Sequence, residues 1–115
     1  MINVKFTQSE VTGSISLKVK GHAQQAPEGH DIVCASATIL AYTVAQMVTD
    51  TYQKGGLKKP PKIKIEKGNV VVTCHPKNDT YADLLHTYFV AQVGYHLLAH
   101  NYPQFVELKM LGKAD

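Results

Sequence analysis

The sequence contains no arginine and no tryptophan. Arginine is the usual bidentate partner of base edges and phosphates, so its absence argues against direct sequence-specific nucleic-acid binding and leaves only loose contact with RNA open. Cysteine is also scarce. Cys34 and Cys74 are too few for a disulfide framework, and no C-x-x-C pair is present to seed a structural zinc site. Both are expected as reduced thiols, which fits a cytoplasmic location. The opening segment MINVKFTQSE has polar residues where a signal peptide would be apolar, and no uninterrupted apolar run reaches bilayer length. No membrane partner, cofactor or metal is expected.

The 115 residues, 44% hydrophobic and 18% charged, suit one globular domain over 1–115. The formal net charge is +3. Lysines concentrate at Lys54, Lys58, Lys59, Lys62, Lys64 and Lys67, which reads as a solvated loop and edge strand.

Hydrophobic spacing gives the elements. Ile2, Val4 and Phe6 alternate with polar residues, and Val11, Gly13, Ile15, Leu17 and Val19 continue the period of two. The spacing predicts a hairpin that ends at Gly21. Residues 22–31 carry no periodicity. Val33, Ala37, Leu40, Val44 and Met47 then share one helical face, with Ala41 and Val48 beside it and Asp31 upstream as a natural N-cap. Ile63 and Ile65, then Val70, Val72 and Cys74, predict a second hairpin turning at Gly68 and Asn69. A second helix over about 81–100 is apolar on more than one side, so it is either buried twice or meets a partner. Val106, Leu108 and Met110 form a last strand. The order β-β-α-β-β-α-β makes an α+β fold, a mostly antiparallel sheet with both helices on one face and the other face wet or paired with a subunit.

The chemistry centres on Cys34, expected in the first turn of the first helix. Unbonded N–H groups there favour an anion, and a thiolate is the nucleophilic form of cysteine. His22 follows Gly21 at a strand end, and Gly21 permits a close backbone approach that a side chain would obstruct. From there His22 can act as the base. Asp31 either caps the helix or orients His22. Gly29, His30 and the rest of loop 23–30 read as a lid at the substrate rim. Plainer readings stand beside these: a small buried cysteine, and a solvated loop histidine. Cys34, His22, His30 and Asp31 are all zinc-ligand types, but they show no closed spacing. His96 and His100 lack the glutamate that a zincin pair requires. Tyr81, Tyr88, Tyr95 and Tyr102 recur every seven residues; the stripe either packs or, at Tyr88, reaches the substrate rim.

As a whole, GHAQQAPEGHDIVCASATIL resembles the ribosomal-processing cysteine protease family Prp, through Gly21, His22, Ala23, Gly29, Asp31, Ile32, Val33, Cys34 and Ala35. The resemblance implies that Cys34 and His22 are catalytic and that Asp31 is the family's aspartate. Thr38 stands where the family often has serine. It also implies a homodimeric endopeptidase acting on a ribosomal protein precursor of the large subunit, removing a short N-terminal extension after a Phe. A non-catalytic dimeric module that binds a peptide or ribosomal protein is the alternative.

Overall fold

Strand β1 (Ile2–Gln8) buries Ile2, Val4 and Phe6 and exposes Asn3 and Lys5, as its alternation requires. The computed structural model describes the backbone of residues 1–21 and 30–113, and the side chains of all of these except 30, 31 and 113. β2 (Ile15–Lys20), α1 (His30–Gln53), β3 (Lys62–Glu66), β4 (Asn69–Cys74), α2 (Tyr81–Asn101) and β5 (Val106–Lys113) follow. The five strands form one sheet in the order β3-β4-β2-β1-β5, with every neighbouring pair antiparallel except β1 and β5. The inward strand residues and the apolar faces of α1 and α2 share one core. The expected α+β architecture is therefore the observed one.

Four local expectations are corrected. β2 begins at Ile15 rather than near Val11, because Ser9 closes a wide turn: its carbonyl accepts from Gly13 N–H at 2.8 Å and its hydroxyl from Thr12 N–H at 3.1 Å. Val11, 81% exposed, sits on that turn. The second hairpin turns at Lys67 and Gly68, since Glu66 pairs with Asn69 and Gly68 takes the left-handed φ of +77°. On α1 the core stripe is Val33, Ala37, Ala41, Val44 and Val48, and Met47 is 45% exposed; the small alanines let the helix lie close to the sheet. β5 carries one extra residue: Lys5 pairs with Lys109 but Thr7 pairs with Gly112. This bulge turns Met110 outward and Leu111 toward the core. The amide freed at Leu111 donates to buried Gln92 Oε1 at 2.6 Å, so the irregularity leaves no unpaired donor there.

The expectation on apolar runs also needs revision. Ile32–Gln53 has a mean hydropathy of 1.6 and is long and apolar enough, by length and composition, to cross a membrane. Its five-residue core stripe accounts for much of that character in this fold. On α2, Leu84, Tyr88, Ala91, Tyr95 and Leu98 are buried while Phe89, Val90, Val93 and Leu97 are exposed, which leaves a second apolar side on the surface.

Candidate active site

Cys34 is the fifth residue of α1 and half-buried. The helix begins at His30, so Asp31 lies inside the first turn instead of capping it. Cys34 is therefore the fifth helical residue, two positions further in than the third position that Asp31 as cap predicts. A helical Cβ leans toward the N-terminus, so its side chain still points back toward the turn whose N–H groups lack intrahelical partners. Cys34 lines a cleft of about 430 Å³ together with Gly21, Thr38, Tyr42, Ile65 and Asn69. Ile2, Val19 and Val70 supply buried apolar surface there, and Glu66 and Lys67 supply charge.

Gly21 is where the sequence reading and the structure meet most directly. Its φ is +93°, and a Cβ built on it would collide with the Met1 carbonyl oxygen. Its N–H donates to Gly68 O at 3.0 Å, which ties the end of β2 to the turn of the second hairpin. Gly21→Ala combines a disfavoured φ with a backbone clash, and it is expected to cost about 1–3 kcal/mol. A urea midpoint unchanged within error would show that this corner yields freely.

The remaining predicted residues divide. His22, Ala23, Gly29 and the proposed lid over 23–29 lie outside the described residues, as do the side chains of His30 and Asp31. Tyr88 is corrected: it is 0% exposed and donates to Val72 O at 2.9 Å, so it cannot form a substrate rim. Burial pushes its phenol well above the usual tyrosine range, and the neighbouring Cys74 adds to the rise. The tyrosine stripe packs here instead. Tyr88 and Tyr95 set their rings edge-on to Phe6 at 6.4 and 5.8 Å. Cys74 is a core residue as expected; burial pushes its thiol up to about 11, against a partial lowering by the Tyr88 hydrogen bond.

Sequence reasoning missed Tyr42, Ile65 and Asn69. Tyr42, 50% exposed, was legible: Cys34, Thr38 and Tyr42 follow at i, i+4 and i+8 on one helical line. Ile65 and Asn69 come from a hairpin that reaches the site only through the pairing of β4 with β2. The side-chain oxygen of Asn69 is buried with no hydrogen-bond partner among the described residues. Such an acceptor costs about 1–3 kcal/mol until a donor meets it.

Similar proteins fit this geometry. A ribosomal processing protease Prp from S. aureus, solved in complex with a substrate peptide, matches at 18% identity and a TM-score of 0.69, over 97% of this chain and all of that one. The same S. aureus protease with a covalently linked product peptide matches at 23% identity and a TM-score of 0.67, with 97% and 100% coverage. SMU.848 from Streptococcus mutans matches at 22% identity and a TM-score of 0.69, with 98% and 95% coverage. At these identities the structures speak for the fold. No curated protein matches the chain in sequence. The family model for cysteine protease Prp matches residues 1–107. With nearly the whole chain matched, and a half-buried thiol at a helix start opening onto a cleft, the protein belongs to the Prp family of cysteine proteases.

Proposed function

We propose that the protein is an endopeptidase that trims a short N-terminal extension from a large-subunit ribosomal protein precursor, cleaving after Phe, with Cys34 as nucleophile and His22 as base. One observation carries the reading: Gly21 and Cys34 line the same cleft. Covalent continuity keeps the Cα of His22 within about 3.8 Å of that of Gly21. The shared lining supports a base on the residue that follows Gly21 in the sequence. The apolar lining from Val19, Ile65 and Val70, with half-exposed Tyr42, suits a Phe side chain. The related S. aureus structures, with substrate and covalently linked product peptides, support the same class of substrate.

The steps follow from these groups. Cys34 thiolate attacks the scissile carbonyl carbon, and the N–H groups of the first helical turn take the oxyanion charge. The tetrahedral intermediate collapses as imidazolium His22 gives its proton to the departing amine, leaving an acyl thioester. His22 then takes a proton from water, the hydroxide attacks the thioester, and the acid product and Cys34 are released. Asp31 supports the imidazolium, with Ala23, Gly29 and His30 at the rim. The exposed apolar side of the helix layer, with Ile39, Val93 and Leu97, serves as the surface for a homodimer. A monomer by sedimentation at micromolar concentration would remove that part of the proposal.

Alkylation tests the thiol assignment against a non-catalytic binding module. Iodoacetamide at neutral pH is expected to modify Cys34 and spare Cys74, whose thiol is buried and raised to about 11. His22→Ala is expected to slow the labelling of Cys34 at least several-fold. Labelling of Cys34 that ignores His22 would leave the thiol without its base.

A further inference from the structure

The sheet has a second face that neither α1 nor α2 covers, and its charge is one-sided. Register places Lys64, Lys18, Lys5 and Lys109 in a single row across the sheet, with Val71 as the only other member. The four lysines are exposed. Lys20 lies on the next row to one side, beside Asn3 and Glu107, and Lys62 on the next row to the other side, beside Thr73. Half of the chain's 12 lysines thus stand on this face, against Glu66 and Glu107. Neither α1 nor α2 contains a lysine. Six lysines against two glutamates make this face strongly basic.

Solubility does not explain this pattern. Edge protection would put lysines on β3 and β5, whereas Lys5 and Lys18 stand on inner strands. Lys5 is the direct cross-strand partner of Lys18 and also of Lys109, and like charges placed opposite one another destabilise a sheet. Among the described residues the only ion pair on the face is Lys64 with Glu66 at 3.8 Å. A polyanion laid across the row would neutralise this repulsion.

We propose that this face binds the phosphate backbone of double-helical RNA. The row spans four strand spacings, about 19 Å, and presents point charges at intervals of about 5–10 Å to a ligand carrying one charge per roughly 1.7 Å of duplex axis. Lysine ammonium groups contact phosphate without base selection, so binding is independent of sequence. Among the described residues the face holds no aromatic side chain, which single-strand platforms use for stacking and membrane-surface segments use for insertion. Lysine is depleted in the cores of protein–protein interfaces, so an acidic protein partner fits less well. Asn3 and Thr7 stand among the lysines as neutral hydrogen-bonding groups suited to 2′-hydroxyls across the shallow minor groove.

The test uses the whole protein and a 20-base-pair RNA of arbitrary sequence, read by fluorescence anisotropy at several salt concentrations. Binding is expected on the order of 1–100 µM near physiological salt, weakening steeply as salt rises. A Lys5→Gln, Lys18→Gln, Lys64→Gln, Lys109→Gln variant is expected to bind at least tenfold more weakly with a shallower salt slope. Its cleavage of a short peptide should be unchanged, because none of the four lines the cleft. Relief of repulsion is expected to leave its melting temperature at low salt equal to or above that of the parent. No RNA binding, equal binding by the variant, or equal or tighter binding of single-stranded RNA, duplex DNA, anionic vesicles or polyglutamate would each overturn the assignment.

Discussion

Cys34→Ala is expected to lower peptide cleavage by roughly 10⁴-fold or more while leaving the fold in place. The large effect follows from the covalent route: without sulfur there is no acyl-enzyme, and only cleft binding and the N–H groups of the first turn remain to assist water. The small structural effect follows from position. Cys34 is half-buried at the edge of the core rather than inside it, and removing one sulfur from such a site costs about 1 kcal/mol or less. Cys34→Ser separates chemistry from shape. It keeps a nucleophile of similar size, but a hydroxyl is far harder to ionise than a thiol, so most activity is expected to be lost here too. Product masses from an extended precursor peptide, with thermal midpoints of all three proteins, give both readouts. Turnover retained by the alanine variant would place the chemistry on another residue.

The two halves of the site differ in how visible they were from sequence. Gly21 and Cys34 were legible because each obeys a local rule. A glycine at a strand end marks a backbone conformation other residues avoid, and the change from period two to helical spacing near Val33 places the thiol near a helix start. The cleft's opposite wall obeys no local rule. Ile65, Glu66 and Asn69 lie more than 30 positions from Cys34 and arrive there because β4 pairs with β2 rather than only with β3. The same limit explains Tyr88. Its spacing puts it on the stripe with Tyr95 but does not say which side of α2 the sheet will cover, and burial decided against a rim. The bulge between Lys5 and Thr7 was likewise invisible, since Met110 continues the alternation of β5 and only pairing with β1 reveals the extra residue. Strand register, once known, also turned scattered lysines into a row.

Tyr95 links the core to the site, and its removal is expected to be among the most damaging changes to stability. The ring is fully buried against Phe6, and its hydroxyl donates to Ala37 O at 2.7 Å. That carbonyl lies three residues beyond Cys34, so the bond fastens α2 to the stretch of α1 that carries the nucleophile. Burial holds the phenol well above the usual tyrosine range, which keeps the donor proton in place. Tyr95→Ala leaves a ring-sized cavity and is expected to cost about 3–5 kcal/mol, a large share of the roughly 5–15 kcal/mol available to a domain of this kind. Tyr95→Phe keeps the ring and loses only the hydrogen bond, about 0.5–1.5 kcal/mol, because the Ala37 carbonyl retains its helical partner. Urea denaturation with an unchanged slope for both variants measures the two costs directly. Cleavage by the phenylalanine variant is expected to fall by less than tenfold at 25 °C, since the packing that positions α1 survives. Equal destabilisation by the two substitutions would mean that the hydroxyl, and not the aromatic packing, holds α1 and Cys34 against the sheet.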